Sequence, residues 1–163
     1  MSKHKKKEIG KKVASFGDGP GYYKDLLLKY GQVASYDAFD GAPFVEEQTD
    51  SIVKFLDLSA PIFHLDKYDW IVCLEVAEHI PNKFESIFID NLVRHAKEGI
   101  VLSWSKVGQI GHGHVNNRDF DYVKSKLEEK GFKHDSQNSE LLKTQSSLLW
   151  FKSNINVYVK IKS

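Results

Sequence analysis

The sequence is poor in the residues that build covalently or metal-stapled scaffolds: its 163 residues include one cysteine, one methionine and four prolines. A lone thiol, Cys73, excludes an internal disulfide, and within "WIVCL" it reads as a small buried hydrophobe. No apolar run approaches the roughly 20 residues of a membrane span. The N-terminal "MSKHKKKEIGKK" lacks the apolar centre of a signal peptide, so a cytoplasmic protein is expected, with no membrane partner. Neither sign of charge prevails: 23 Lys and Arg face 22 Asp and Glu, a net charge of +1, which does not indicate a basic domain built around nucleic acid. The local exception is Lys3, Lys5, Lys6, Lys7, Lys11 and Lys12, read as a solvated tail. Internal repeats, low-complexity segments and Pro/Gly/Ser-rich linkers are also missing, which leaves one ordinary globular domain.

What is present is an alternation of strand and helix patterns. Val13 to Phe16 reads as a strand, Tyr22 to Tyr30 as a helix stopped by Gly31, and Val33 to Tyr36 as a second strand. Ile52 to Leu56 gives a short third. In "YDWIVCLEV" the apolar run from Trp70 to Leu74 is continuous, as in a strand buried on both faces. Asn82, with Glu85 three residues on, has the pattern of a capping box opening a helix through Ala96, and Gly99 follows as its stop. "GIVLSW" is a fifth strand, Ser105 to Arg118 a long loop, and Asp119 to Lys130 a helix ended by Gly131. Phe132 to Asp135 and Ile155 to Ile161 supply two more strands, the second alternating as an edge strand does. The order predicts an α/β fold: an open, doubly wound, mostly parallel sheet with helices on both faces and a C-terminal antiparallel hairpin. Residues 1–11 are expected to be a basic flexible tail and residues 12–163 a single domain.

Such sheets bind ligands at the carboxyl ends of their strands, near the point where strand order reverses. The stretch "SFGDGPGYY" sits there, with Gly17, Gly19 and Gly21 letting backbone approach a ligand and leaving N–H groups at a helix start for an anionic group. It is not the dinucleotide fingerprint or the phosphate loop, because Tyr22 stands where both need glycine. Asp37, twenty residues after Gly17 and expected at the end of the second strand, suits hydrogen bonds from both hydroxyls of a ribose. Tyr22 and Phe39, beside the glycine loop and Asp37, are aromatic groups placed to stack on a ring.

Four motifs in order, G-x-G-x-G after the first strand, Asp37 after the second, "FLDL" after the third and "YDWIVCLEVAEHIP" at the fourth, resemble the class I S-adenosylmethionine-dependent methyltransferases across residues 12–163. "FDGAP", "EVAEHIP", "VLSW" and "HVNNRD" are similar to a group of small methyltransferase-like proteins. The resemblance implies S-adenosylmethionine as cofactor and S-adenosylhomocysteine as product. It implies that Gly17, Gly19 and Gly21 lie along the methionine part, with Ser15, Phe16, Asp18 and Tyr22 about the same turn. Asp37 and Ala38 would meet the ribose, Asp57 and the backbone of Leu58 the adenine, and Leu74 and Glu75 would line the cofactor at the end of the fourth strand. Ser15 departs from the family, which usually carries an acid there, and Asp18 is the residue that would replace the lost charge.

The donor's leaving group is a neutral thioether, so the protein must align a nucleophile and take its proton. His79, in "AEHIP", and His114, in "GQIGHGHVNNRD", are the expected catalytic residues, because a histidine base works near neutral pH and both lie in loops at the cofactor mouth. The H-x-H spacing of His112 and His114 near Asp119 invites a metal reading, but no Cys/His set or carboxylate cluster accompanies it and no metal is expected. His4, His64, His95 and His134 read as tail, loop or helix-surface residues. With no helices expected ahead of the first strand, the site should be open, its acceptor pocket formed by loops Ala38 to Asp50, Ala77 to Lys83 and Ser105 to Arg118 unless a second copy of the chain, another partner or a large substrate covers it. A hydroxyl of a sugar, glycan or other small molecule is the expected acceptor. A catalytically silent cofactor-binding subunit of a larger assembly is the alternative, and a nucleic-acid methyltransferase, lacking the Asn/Asp-Pro-Pro-aromatic signature, stands third.

Overall fold

The computed structural model describes residues 10–30 and 33–162. Lys3, Lys5, Lys6 and Lys7 of the basic tail, His4, and the expected helix stop Gly31 lie outside the described residues. Seven strands form one sheet: β1 (Lys11–Phe16), β2 (Val33–Asp40), β3 (Val53–Phe55), β4 (Tyr68–Cys73), β5 (Ala96–Ser103), β6 (Phe132–Asp135) and β7 (Ile155–Lys160). Their order is β3-β2-β1-β4-β5-β7-β6. The pairs from β3 to β5 are parallel, and β7 runs antiparallel between β5 and β6. This is the expected open sheet with its C-terminal hairpin. β7 is interior, not an edge: Ile155 to Tyr158 are all buried, and β6 holds the edge. Lys11, assigned to the tail from sequence, instead opens β1 and pairs with Glu98 at 2.6 Å.

The helices described are α1 (Tyr22–Tyr30), α2 (Val45–Gln48), α3 (Glu85–His95), α4 (Phe120–Glu129), α5 (Ser136–Gln145) and α6 (Phe151–Asn154). Strand alternation sorts the core into two layers. Ala14, Phe16, Ile71 and Cys73 pack with Phe88 and Leu92 of α3 and Val123 and Leu127 of α4. Val13, Trp70 and Val72 point the other way, toward Tyr23 and Leu27 of α1 and Val45 of α2. Each fully buried Phe, Ile or Leu contributes about 1.5–3 kcal/mol by leaving water. Burial pushes the Cys73 thiol up, so it stays protonated as a core residue.

Three departures from the sequence reading matter for the site. β2 runs on past Tyr36 to Asp40, because Tyr36, Ala38 and Phe39 are all buried and carry the strand through its two aspartates. Asn82 does not cap α3; residues Asn82–Phe84 form a 3-10 turn, and Glu85 turns to partners across the fold instead. His95 is not on a helix surface but buried, and its Nδ1 donates to Asn91 O at 2.8 Å. α5 was not anticipated, since "SQNSELLKTQ" has no apolar stripe. It is fixed by its ends, with Asp135 Oδ1 accepting from Asn138 N at 3.1 Å, and by the buried Ser139 hydroxyl, which accepts from Val157 N at 2.8 Å.

Candidate functional site

The parallel strands change direction of winding between β1 and β4, and a cleft of ≈ 430 Å³ opens at their carboxyl ends. That size suits a small-molecule site of about 300–1,000 Å³. Gly17 forms its floor with φ +96°, and a Cβ there would overlap Val76 Cγ2, so only glycine lets the two loops meet. The Gly17 and Asp18 N–H groups both donate to Phe39 O, at 2.8 and 2.9 Å. Gly19 N donates to Asp40 Oδ2 and Ala42 N to Asp40 Oδ1, each at 2.8 Å. One carboxylate at the end of β2 thus ties the glycine loop to the loop that follows.

The opposite wall is Leu56, Asp57, Leu58 and Ser59 after β3. Asp57 Oδ1 accepts from Ser59 N at 2.8 Å and Ser59 Oγ at 2.6 Å, which curls this wall inward. Asn91 of α3 holds the same loop from beneath. It is fully buried, donates to Leu58 O at 3.2 Å and Ala60 O at 2.8 Å, and accepts from Ile62 N at 2.9 Å. Asn91→Ala should lower the unfolding free energy by about 2–4 kcal/mol, because buried backbone groups lose their partners; a urea midpoint equal to the wild type's would show that the loop holds itself.

After β4 the chain turns at Glu75, whose φ of +54° is strained for a side-chain-bearing residue. Ser103 Oγ accepts from Glu75 N at 2.7 Å and donates to Glu75 Oε1 at 2.8 Å, while Asn154 Nδ2 donates to the same oxygen at 2.9 Å. Glu75, Val76, His79, Ile80 and Pro81 complete the cleft. Asn154 also lines a further hollow of ≈ 380 Å³ with Trp104, Arg118 and Phe120.

His79 leads from the cleft to a polar cluster. Its Nδ1 lies 3.1 Å from Gly113 O, and its ring meets that of His114 edge-on, centroids 5.1 Å apart. His114 Nε2 is 4.0 Å from Oε1 of Glu78, which is fully buried and accepts from Ser105 Oγ at 2.8 Å. Burial pushes the Glu78 carboxyl up. The long loop 105–118 is pinned over this cluster by its backbone: Val115 N and Asn116 N donate to Glu78 O at 2.9 and 3.0 Å, and Trp104 Nε1 donates to Asn116 O at 2.6 Å.

Magnesium protoporphyrin IX methyltransferase from Synechocystis PCC 6803, with bound SAH, superposes with a TM-score of 0.65 at 18% identity, covering 94% of this chain and 76% of that one. N-methyltransferase NodS from Bradyrhizobium japonicum WM9 gives 0.65 at 13%, covering 94% and 88%. The small RNA methyltransferase HEN1 gives 0.68 at 14%, covering 99% of this chain and 24% of that one. The chain has the class I methyltransferase fold. No family model and no curated protein matches it by sequence.

Within that class I fold, Gly17, Asp57, Leu58, Glu75 and His79 all line the one cleft. Gly19 and Gly21 shape the turn with φ of +62° and +92°. Phe16 and Ala38 are core residues beneath it, and Phe39, expected to stack on a ligand, packs edge-on against Phe16 in the core. Tyr22 is 69% exposed on α1 and Leu74 half-buried, and neither lines the cleft. Asp18 does not reach the cleft either. It is buried against Tyr36, whose hydroxyl donates to Oδ1 at 3.2 Å, and burial pushes its carboxyl up. Ser15 is buried beside the Asp18 carboxyl and the Tyr36 hydroxyl.

Asp37 is the main correction. It pairs with Ala14 inside the sheet, its Oδ2 accepts from Tyr68 OH at 2.9 Å, and it lines a separate hollow with Lys12, Asp66 and Lys97. The acid at the strand end is Asp40, twenty-three residues after Gly17, because β2 runs four residues beyond Tyr36. Its signal was "FDG", an acid followed by glycine. The H-x-H reading also moves: Glu78, His79 and His114 come together, and His112 does not join them.

Glu85 anchors the far end of loop 105–118, accepting from Tyr122 OH at 2.5 Å, Arg118 Nε at 2.7 Å and Asn116 Nδ2 at 3.0 Å. Burial opposes its ionisation, but these three donors outweigh it and hold its carboxyl below the ordinary value. A depressed carboxyl adds stability above its unfolded pKa and loses it as pH falls through the folded one. Stability should therefore fall from about pH 5 downward, and less so in Glu85→Gln; parallel falls in urea titrations at pH 7 and pH 4 would remove this assignment.

Proposed function

We propose that the cleft binds S-adenosylmethionine and that the chain transfers a methyl group to a hydroxyl of a sugar, glycan or other small molecule. The observation that carries this reading is the juxtaposition, at one switch point, of the Gly17 floor, the Asp40 carboxylate and the His79 side chain. Gly17 fits the group because its bare Cα lets Val76 close against the glycine loop and shape the cleft floor. Asp40 takes the ribose hydroxyls through the lone pairs left after its two backbone bonds, and Asp57 and Leu58 flank the adenine. Glu75, fixed by Ser103 and Asn154, borders the reacting end. When bound, the sulfonium supplies an electrophilic methyl group and leaves as a neutral thioether.

The chain then has two tasks. It aligns the acceptor oxygen with the methyl carbon, which alone can supply much of the acceleration. It also draws off the hydroxyl proton at the His79–His114 pair, beside the cleft. The varied acceptors named for the structural neighbours leave acceptor choice to this pair and to loop 105–118. The test is label transfer from S-adenosylmethionine to a panel of sugars and other hydroxyl compounds, with the O-methyl product identified by mass. Saturable cofactor binding with no transfer to any member of a broad panel would favour the silent subunit, to which Ser15 and the inward-turned Asp18 also point.

A further inference from the structure

Glu78, His79 and His114 each offer one donor atom, and the three atoms lie within 4.8 Å of one another. We propose that they hold a divalent cation of the borderline class, Mn2+, Co2+ or Zn2+, which receives the acceptor's hydroxyl oxygen; its use rests on the methyltransferase reading.

The tautomers and partners favour ligation over a plain hydrogen-bonded cluster. The Gly113 carbonyl can only accept, so in the neutral ring His79 Nδ1 carries the proton and Nε2 is the nitrogen with the lone pair. A metal-binding imidazole is usually oriented by such a bond from its other nitrogen. Glu78 is fully buried, yet its Oε2 has no partner in another residue, and His114 Nε2 lies 4.0 Å from its Oε1. His114 Nδ1 is buried without a partner as well. An unpaired carboxylate oxygen on a buried group is costly, and a cation shared with the neighbouring rings would satisfy it. Ser105 Oγ, donating to Glu78 Oε1, is the bond that orients the carboxylate. Gly111 leaves the room in which the His114 ring sits, since a Cβ there would overlap Nε2.

Two imidazoles and one carboxylate suit borderline metals better than Mg2+ or Ca2+. Three protein ligands leave coordination positions open, and His79 places them at the cleft. A hydroxyl ligated there ionises more easily. With both rings engaged as ligands, the proton passes to water instead of to the His79–His114 pair, the new O–C bond forms as the S–C bond breaks, and sulfur keeps the electron pair as a neutral thioether, so no redox partner is needed.

The full-length chain, stripped with a chelator, is titrated with Co2+ and followed by visible absorption, while calorimetry follows S-adenosylhomocysteine in parallel. One equivalent of Co2+ with a ligand-field band is expected. Glu78→Gln and His114→Ala should each abolish the band, and Ser105→Ala should weaken binding about 10–100-fold. His112→Ala should keep it. His79→Ala, at an exposed position, serves as the third variant should a buried substitution unfold the chain. A wild-type protein that binds S-adenosylhomocysteine but no stoichiometric Co2+ overturns the site and leaves the methyltransferase reading standing. A band that survives all three ligand variants also overturns it. A band lost in the variants, in a protein that binds no S-adenosylhomocysteine, supports the cation site and overturns the reading on which its use rests.

Discussion

His114→Ala is expected to lower methyl transfer by about 10²–10⁴-fold while leaving S-adenosylhomocysteine binding within a few-fold of wild type. The separation follows from how the loop is held. Residues 105–118 are fastened through the backbone of Val115 and Asn116 to Glu78 O and through Trp104 to Asn116 O, not through the His114 ring. Removing the ring deletes chemistry at the acceptor side without releasing the loop. His79→Ala should show the same loss of turnover with some loss of cofactor affinity, since His79 itself lines the cleft. Unchanged turnover in both would take the acceptor away from this pair.

Asp40→Ala is expected to weaken binding of S-adenosylhomocysteine by roughly 100-fold or more. Two hydrogen bonds to a charged carboxylate are worth about 1.5–3 kcal/mol each, and each 1.4 kcal/mol is about tenfold. The substitution also frees the Gly19 and Ala42 N–H groups, so the glycine loop loses its tie. Asp37→Ala is the contrast. It removes only the acceptor for Tyr68 OH, whose proton is held in place by burial and by Asp37 itself, and should cost about 1 kcal/mol of stability with cofactor affinity unchanged. If Asp37→Ala abolished binding and Asp40→Ala did not, the sequence spacing would be right and the cleft misassigned.

The contrast shows where the sequence was legible. Periodicity gave α1 and β6 with their exact ends and all seven strands in order, because apolar runs such as "WIVCL" admit few other placements. It failed where polar residues sit in buried strands. Asp37 and Asp40 look alike in "ASYDAFDG", and only the pairing of β2 with β1 as far as Phe39, and with β3 through Asp40, tells which one ends the strand. The capping pattern at Asn82 and Glu85 failed for a related reason, since Arg118, Tyr122 and Asn116 compete for Glu85 from more than thirty residues away. His79 was legible from its motif and His114 from its loop. Glu78 was not, because a fully buried carboxylate has no local mark and becomes visible only when Ser105 and His114 fold against it.

The most direct test is calorimetric titration of the folded wild-type chain with S-adenosylhomocysteine, run beside Gly17→Val, which would thrust a side chain into Val76 at the floor of the cleft. The account predicts saturable one-to-one binding by the wild type and none by the variant. A well-folded wild type that gives no saturable heat with this ligand or with S-adenosylmethionine would contradict it.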